Sequence, residues 1–118
     1  WKPAPPKVLA HEFQHMIHWE HDSDEARWVD EGCAVYAQYI CGYGHDKGFV
    51  NAFKEMPDTP LMEWESTAQD YGASYLWTLY LSEKYGDLSG KPGKEHFIKD
   101  LVAEGGNGET GIRFQEVM

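Results

Sequence analysis

The stretch HEFQHMIHWEH, residues 11–21, holds four of the six histidines of the chain. Within it, His11, Glu12 and His15 form an HExxH pattern. Side chains four residues apart lie on one face of a helix, so His11 and His15 can direct both imidazoles at a single ion. Zinc accepts imidazole nitrogen in a roughly tetrahedral shell, which accounts for the spacing. The pattern therefore predicts a metal site, with Zn²⁺ as the expected ion.

Glu12 gives this pattern its chemistry. It lies about 100° around the helix from His11, which places its carboxylate beside the metal rather than on it. From there it can take a proton from a metal-bound water whose pKa the ion has lowered to around 7. The motif thus predicts hydrolysis, provided that the protein supplies a third ligand.

Two residues compete for the place of third ligand. His21 follows His15 by six residues, as in the metzincin pattern HExxHxxGxxH, but His18 stands where that pattern needs glycine for a sharp turn. Glu31 lies in RWVDEGCAVYAQY, a predicted helix that can pack on the first. A carboxylate from a second helix fits the zinc peptidase plan of two imidazoles, one carboxylate and an open fourth position. We expect Glu31, with His21 as the metzincin-like alternative.

A non-catalytic, zinc-stapled helical domain is the alternative to an enzyme. Structural zinc sites tend to complete their shell with a fourth protein ligand. Cys33, the nearby candidate, lies two residues beyond Glu31 and so points to another side of the helix. Glu12 also disfavours this alternative, because a structural site needs no base beside the ion. Asp30, next to Glu31, is expected either to orient a ligand histidine or to lie on the surface.

The elements that must position these residues are helices, since strand signals are nearly absent. The predicted helices are KVLAHEFQHMIHW, EARWVDEGCAVYAQYI, KGFVNAFKEM, STAQDYGASYLWTLYLSEKYG and KEHFIKDLVAEG. Pro6 suits the first turn of the first helix. Ser23 or Asp24 is expected to cap the second helix, and Ser66 or Thr67 the fourth. The fold class is therefore predicted to be mainly α.

Composition limits the partners. With 118 residues, the chain is expected to form a single domain over residues 1–118. Its net charge of −10 would repel phosphate backbones and anionic headgroups, so we expect neither a nucleic acid nor a membrane as partner. Cys33 and Cys41, on what reads as one helix, would be about 12 Å apart, too far for a disulfide.

Three segments in order carry a family resemblance: LAHEFQHMIHW, RWVDEGCAVYAQY and DYGASYLWTLYLSEKYG. Together they resemble the gluzincin zinc metallopeptidases, most closely the hyicolysin family of bacterial secreted proteases, over roughly residues 8–86. The resemblance implies one catalytic Zn²⁺, a peptide or protein substrate, and secretion. It also implies the following site residues: His11, His15 and Glu31 as metal ligands, and Glu12 as general base and acid.

The same resemblance implies a residue that stabilises the oxyanion. The family uses a tyrosine or histidine beyond the glutamate helix for this purpose. In the aminopeptidase relatives the tyrosine lies just ahead of a Gly-Ala pair that opens a helix, as Tyr71 precedes Gly72 and Ala73 here. The offset is not identical, so Tyr75, one turn later, is the alternative.

Two departures from the family matter. Fifteen residues separate His15 from Glu31, fewer than in the relatives, so the connection between the helices must be tight. Gluzincins also hold their substrate on the edge of a β-sheet that precedes HExxH, and only ten residues precede it here. We therefore expect the helical catalytic subdomain of a gluzincin, without the upstream β-sheet, as a fragment of a longer protein.

Overall fold

The computed structural model describes residues 5–85 and 96–104, and no strand occurs among them. The elements in this part of the chain are α1 (Pro6–His21), α2 (Arg27–Gln38), a π-helical turn (Tyr39–Tyr43), α3 (Lys47–Glu55), α4 (Ala68–Tyr85) and α5 (His96–Glu104). The predicted mainly α class is confirmed. No helix in these ranges has both the length and the apolar character needed to cross a membrane. The predicted helix end at Gly86 lies outside the described residues.

Helix α2 lies at the centre of the fold. Ten of its twelve residues are buried, and it packs against both α1 and α4. Its apolar side chains join those of α4 and α5 in one core, where each large buried side chain contributes about 1.5–3 kcal/mol. The core residues are Trp28, Val29, Cys33, Val35, Tyr36, Tyr75, Leu81, Ile98, Leu101 and Val102. Cys33 is thus a core residue, and both cysteines are free as predicted.

Helix α1 turns a polar face toward the rest of the protein. His18 is its only buried residue, whereas Leu9, Phe13, Met16 and Trp19 are each more than half exposed. A surface helix ordinarily buries its apolar stripe. Contacts made by histidines therefore account for much of the attachment of α1 to α2, and the candidate site forms part of that interface.

The helix starts agree with the sequence in part. Pro6 occupies the first turn of α1 as predicted, where its missing N–H costs no hydrogen bond. The predicted cap of α2 is wrong: the residue before the helix is Ala26, which makes no side-chain cap. Ser23 and Asp24 instead remain in the connecting turn, where the Asp24 N–H donates to Asp22 Oδ1 at 3.4 Å.

Thr67 caps α4, as one of the two predicted residues. Its Oγ1 accepts a hydrogen bond from the Asp70 N–H at 3.3 Å, and the Asp70 carboxylate accepts from the Thr67 N–H at 3.1 Å. This reciprocal pair is a capping box, here closed by aspartate. Asp70 Oδ2 also accepts from the Glu65 N–H at 3.0 Å. The start of α4, and with it the position of Tyr71, is thereby held in place.

Candidate metal centre

Helices α1 and α2 bring His11, His15 and Glu31 to one point. His11 Nε2 lies 3.2 Å from Glu31 Oε1, and His15 Nε2 lies 2.7 Å from the same oxygen. The two imidazole rings are 4.9 Å apart between centroids, as expected for residues one helical turn apart. All three side chains are at most 22% exposed. Two nitrogens and one carboxylate oxygen thus converge in a largely buried position.

The donor set and its spacing fit a zinc ion. Two ligands that each lie about 2.1 Å from zinc at a tetrahedral angle are about 3.4 Å from each other. The 3.2 Å separation of His11 Nε2 and Glu31 Oε1 is close to that value. The 2.7 Å separation of His15 Nε2 and Glu31 Oε1 is that of a charge-assisted hydrogen bond. Zinc at this position would have His11, His15 and Glu31 as ligands.

The second nitrogen of each imidazole also has a partner. His11 Nδ1 lies 2.7 Å from Gln38 Oε1, and His15 Nδ1 lies 2.9 Å from Asp30 Oδ1. Because both partners are acceptors, each Nδ1 carries a proton, and each ring is oriented with Nε2 toward Glu31. Metal-ligating histidines ordinarily have such an outer partner. Asp30 contacts His15, as its expected orienting role requires, and its side chain is 29% exposed.

The charges in the site stabilise one another. Burial opposes ionisation of all three groups, but the hydrogen bonds between Glu31 and the two histidines outweigh it. They lower the pKa of Glu31 to about 2 and raise that of His11. Hydrogen bonds with Asp30 and Glu31 raise the pKa of His15 to about 10. Glu31 is therefore a carboxylate at neutral pH, the state that a metal ligand requires.

Glu12 lies beside these residues on the solvent side. Its side chain is exposed, and one of its carboxylate oxygens lies within 4.8 Å of a ring nitrogen of both His11 and His15. Glu12 and His15 line a surface cleft of about 540 Å³ together with the exposed apolar side chains of Met16 and Trp19. The carboxylate of Glu12 is thus next to the convergence point and open to a molecule in the cleft.

The structure places the two candidate tyrosines differently. The Tyr71 hydroxyl lies 3.3 Å from Glu31 Oε2, and its ring stacks on Phe49 at a centroid separation of 4.7 Å. The Tyr75 side chain is completely buried, and its hydroxyl hydrogen-bonds with His45 Nδ1. Tyr71 therefore borders the candidate metal site, whereas Tyr75 is part of the core.

Two glycines allow the helices around the site to approach closely. A Cβ at Gly32 would lie 2.6 Å from Thr78 Oγ1 and 2.8 Å from the carbonyl oxygen of Ser74, both on α4. A Cβ at Gly72 would overlap the carbonyl oxygen of Phe49 on α3. Gly32 follows Glu31 and Gly72 follows Tyr71, so the close contacts lie directly beside residues of the site.

Sequence reasoning missed Gln38 and the burial of His18, which is 1% exposed. Helical spacing carried a signal for both residues. Gln38 follows Glu31 by seven residues, and His18 follows His11 by seven. Seven residues are about two turns, so each shares a helix face with a predicted ligand.

His21, the alternative third ligand, lies elsewhere. It is exposed and lines a separate groove with Cys33 and Ile98, while Glu31 lies against the two histidines.

Comparisons with protein-family models, curated proteins and solved structures find no match to this chain. The geometry of the site therefore carries the functional interpretation.

Proposed function

We propose that this protein is a zinc-dependent hydrolase of peptide bonds, with His11, His15 and Glu31 as metal ligands. The observation that carries the proposal is the convergence of two HExxH imidazoles and a carboxylate from a second helix, with Glu12 open to the cleft beside them. The order of the three motifs supports assignment to the gluzincins, and by the same resemblance to the hyicolysin-type secreted proteases. Location outside the cell is part of this proposal.

The proposed mechanism uses the bound metal and the carboxylate of Glu12. When bound, zinc lowers the pKa of a ligated water and polarises a carbonyl oxygen. Glu12 accepts a proton from the attacking water and delivers it to the nitrogen of the leaving amine, which makes it both general base and general acid. Its exposed carboxylate can reach a substrate in the cleft, as this role requires.

Tyr71 is the proposed donor to the oxyanion. Burial and the nearby charge of Glu31 raise the pKa of Tyr71, so its hydroxyl stays protonated at neutral pH and remains a donor. Its ring is held between Phe49 and Trp64, with centroid separations of 4.7 and 4.9 Å. With the ring held in this way, donation to the oxyanion requires only that the hydroxyl proton turn from Glu31 to the substrate oxygen.

The outer partners have a positioning role in this proposal. Gln38 and Asp30 hold the two imidazoles in one orientation through their Nδ1 atoms. Gln38 is itself held by Asp46, since its Nε2 donates to Asp46 Oδ2 at 3.3 Å. Asp46 also accepts the first-turn N–H of Phe49 at 3.4 Å, which links the ligand orientation to the start of α3.

The test is cleavage of a mixed peptide library by the zinc-loaded chain, with and without a chelator. We expect cleavage that the chelator abolishes and added zinc restores. Glu12→Gln should retain zinc, measured by mass spectrometry of the metal content, and lose about 100- to 10,000-fold in kcat. Glu55→Gln, an exposed carboxylate on α3 that does not line this cleft, is the control and should retain activity.

Two outcomes would contradict the proposal. Full activity of Glu12→Gln would remove Glu12 from the mechanism. Stoichiometric zinc that requires His11 and Glu31, without cleavage of any peptide in the library, would instead support the non-catalytic, zinc-stapled domain.

A further inference from the structure

His18 is a buried histidine without a hydrogen bond. Its side chain is 1% exposed, and neither ring nitrogen has a hydrogen-bond partner. Nε2 lies 3.5 Å from Glu25 Oε2, and Nδ1 lies 3.5 Å from Asp30 Oδ1. Both distances exceed the usual 2.7–3.2 Å range of an N–H···O hydrogen bond. Buried polar groups ordinarily have a hydrogen-bond partner, because leaving one unsatisfied destabilises the fold.

Two carboxylates lie around this imidazole. Asp22 is 8% exposed and the side chain of Glu25 is 2% exposed. His18, Asp22 and Glu25 each offer one ligand atom, and the three atoms lie within 4.8 Å of one another. Carboxylates are rarely buried this deeply unless a positive charge or a metal compensates them. The imidazole without a hydrogen bond, with two carboxylate oxygens close to it, therefore points to a cation.

We propose that His18, Asp22 and Glu25 form a second divalent metal site. Two ligands of one zinc ion are separated by about 3–4.4 Å over the range of coordination angles, and the His18 Nε2 to Glu25 Oε2 distance of 3.5 Å falls within it. One imidazole with two carboxylates suits a transition metal such as zinc or manganese. Calcium is disfavoured, since it takes oxygen ligands.

The location of the site gives it a structural role. His18 lies in the last turn of α1, Asp22 follows that helix, and Glu25 comes just before α2. One ion would therefore tie the end of α1 to the short connection that leads into α2. Asp22 and Glu25 also line the 540 Å³ cleft, which provides a route for the ion.

Asp30 connects the two sites. Its Oδ1 lies 3.5 Å from His18 Nδ1 and 2.9 Å from His15 Nδ1. With the ion on Nε2, His18 would carry its proton on Nδ1 and direct it at Asp30, the residue that orients His15. The second ion would thus fix the position of Asp30, which orients His15 in the first site, although the two sites share no ligand.

Zinc stoichiometry of the full chain tests this site. The protein is stripped with a chelator, titrated with zinc chloride and analysed for bound metal after desalting. We expect two equivalents in the unmodified chain, one in Glu25→Gln and one in His11→Ala, because each variant removes a ligand from only one site. Glu55→Gln, on α3 and outside the cleft, is the control and should keep both equivalents. Calcium chloride in place of zinc should not fill the His18 site.

Failure of this inference can be told apart from failure of the proposed function. If Glu25→Gln retains the stoichiometry of the unmodified chain, the second site is overturned. If only Glu25→Gln loses an ion and His11→Ala loses none, the second site stands and the proposed catalytic site fails. If Glu25→Gln retains both ions and His11→Ala loses one, the second site fails and the proposed catalytic site stands.

A second measurement needs no variant and so does not depend on Glu25→Gln folding. Nitrogen-15 spectra of the imidazoles in the unmodified chain report which ring nitrogen binds metal. We expect the Nε2 resonance of His18 to shift with zinc, in addition to those of His11 and His15. A His18 whose ring-nitrogen resonances are unchanged by zinc would overturn the site.

Discussion

Gln38 lies two turns beyond Glu31 in α2 and hydrogen-bonds to His11: its Oε1 is 2.7 Å from His11 Nδ1. The same helix therefore supplies both the carboxylate that faces Nε2 and the amide that faces Nδ1. Since Gln38 is 3% exposed and also donates to Asp46, its amide has a defined orientation. His11 is fixed by α2 on both sides of its ring.

Replacing Gln38 with alanine should weaken zinc binding without abolishing it. Loss of an outer partner typically costs 10- to 100-fold in metal affinity, because the ligand ring is no longer oriented. Competition with a chromophoric chelator measures the change. Gln69→Ala, on α4, is the control. Equal zinc affinity in Gln38→Ala and the unmodified chain would show that the amide does not position His11.

Replacing Tyr71 with phenylalanine should lower kcat and leave the zinc content unchanged. Loss of one oxyanion donor costs about 100- to 1,000-fold, and the ring stacking on Phe49 is retained in the variant. Steady-state kinetics with the best peptide of the library gives kcat and KM separately. Tyr75→Phe should retain kcat, since its side chain is buried in the core and its hydroxyl contacts His45. The reverse pattern would assign the role to Tyr75.

Replacing Gly72 with alanine should destabilise the fold. The added Cβ would overlap the Phe49 carbonyl oxygen and lie 2.9 Å from Phe53 Cβ, so α3 must move away from α4. Overpacking of this kind costs about 1–3 kcal/mol, measured by urea unfolding. Gly48→Ala is the control, because its Cβ would meet only Asp46 Oδ1, at 3.6 Å. It should be neutral or stabilising, by up to about 1 kcal/mol. Equal loss in both variants would mean that helix separation is not the cause.

Without metal, stability should depend on pH through His15 and Glu31. The pKa of His15 is raised to about 10, so its contribution is complete below its ordinary value of about 6.5 and is lost as the pH rises toward 10. The pKa of Glu31 is lowered to about 2, so its contribution is present above about 4.3 and is lost as the pH falls toward 2. The Tm measured in chelator should therefore be highest between about pH 4.5 and 6.5.

With zinc bound, the Tm should no longer fall as the pH rises above about 6.5. Metal binding requires the unprotonated Nε2 of both histidines, so zinc affinity should rise with pH where the stability of the metal-free chain falls. Glu31→Gln should remove the acid limb of the metal-free profile and reduce the alkaline limb, because the hydrogen bond of His15 with Asp30 remains. A metal-free Tm that rises between pH 6.5 and 9 would contradict the pairing of protonated His15 with Asp30 and Glu31.

Local sequence determined the parts of the site that lie within one helix. The spacing of His11 and His15, the position of Glu12 beside them, and the start of α4 at Thr67 follow from the 3.6-residue period and from the hydrogen-bonding capacity of side chains at helix ends. These features depend only on residues that are close together in the chain, so they are the same whichever part of the protein the helix packs against.

Only the tertiary structure decided which helix faces meet. It placed Glu31 rather than His21 against the two imidazoles, Tyr71 rather than Tyr75 beside Glu31, and His18 in the interior. These outcomes depend on the close approach of α2 and α4 and on the polar face that α1 turns inward. The period of a helix specifies which residues share a face, but the partner of that face is selected by the packing of the whole domain.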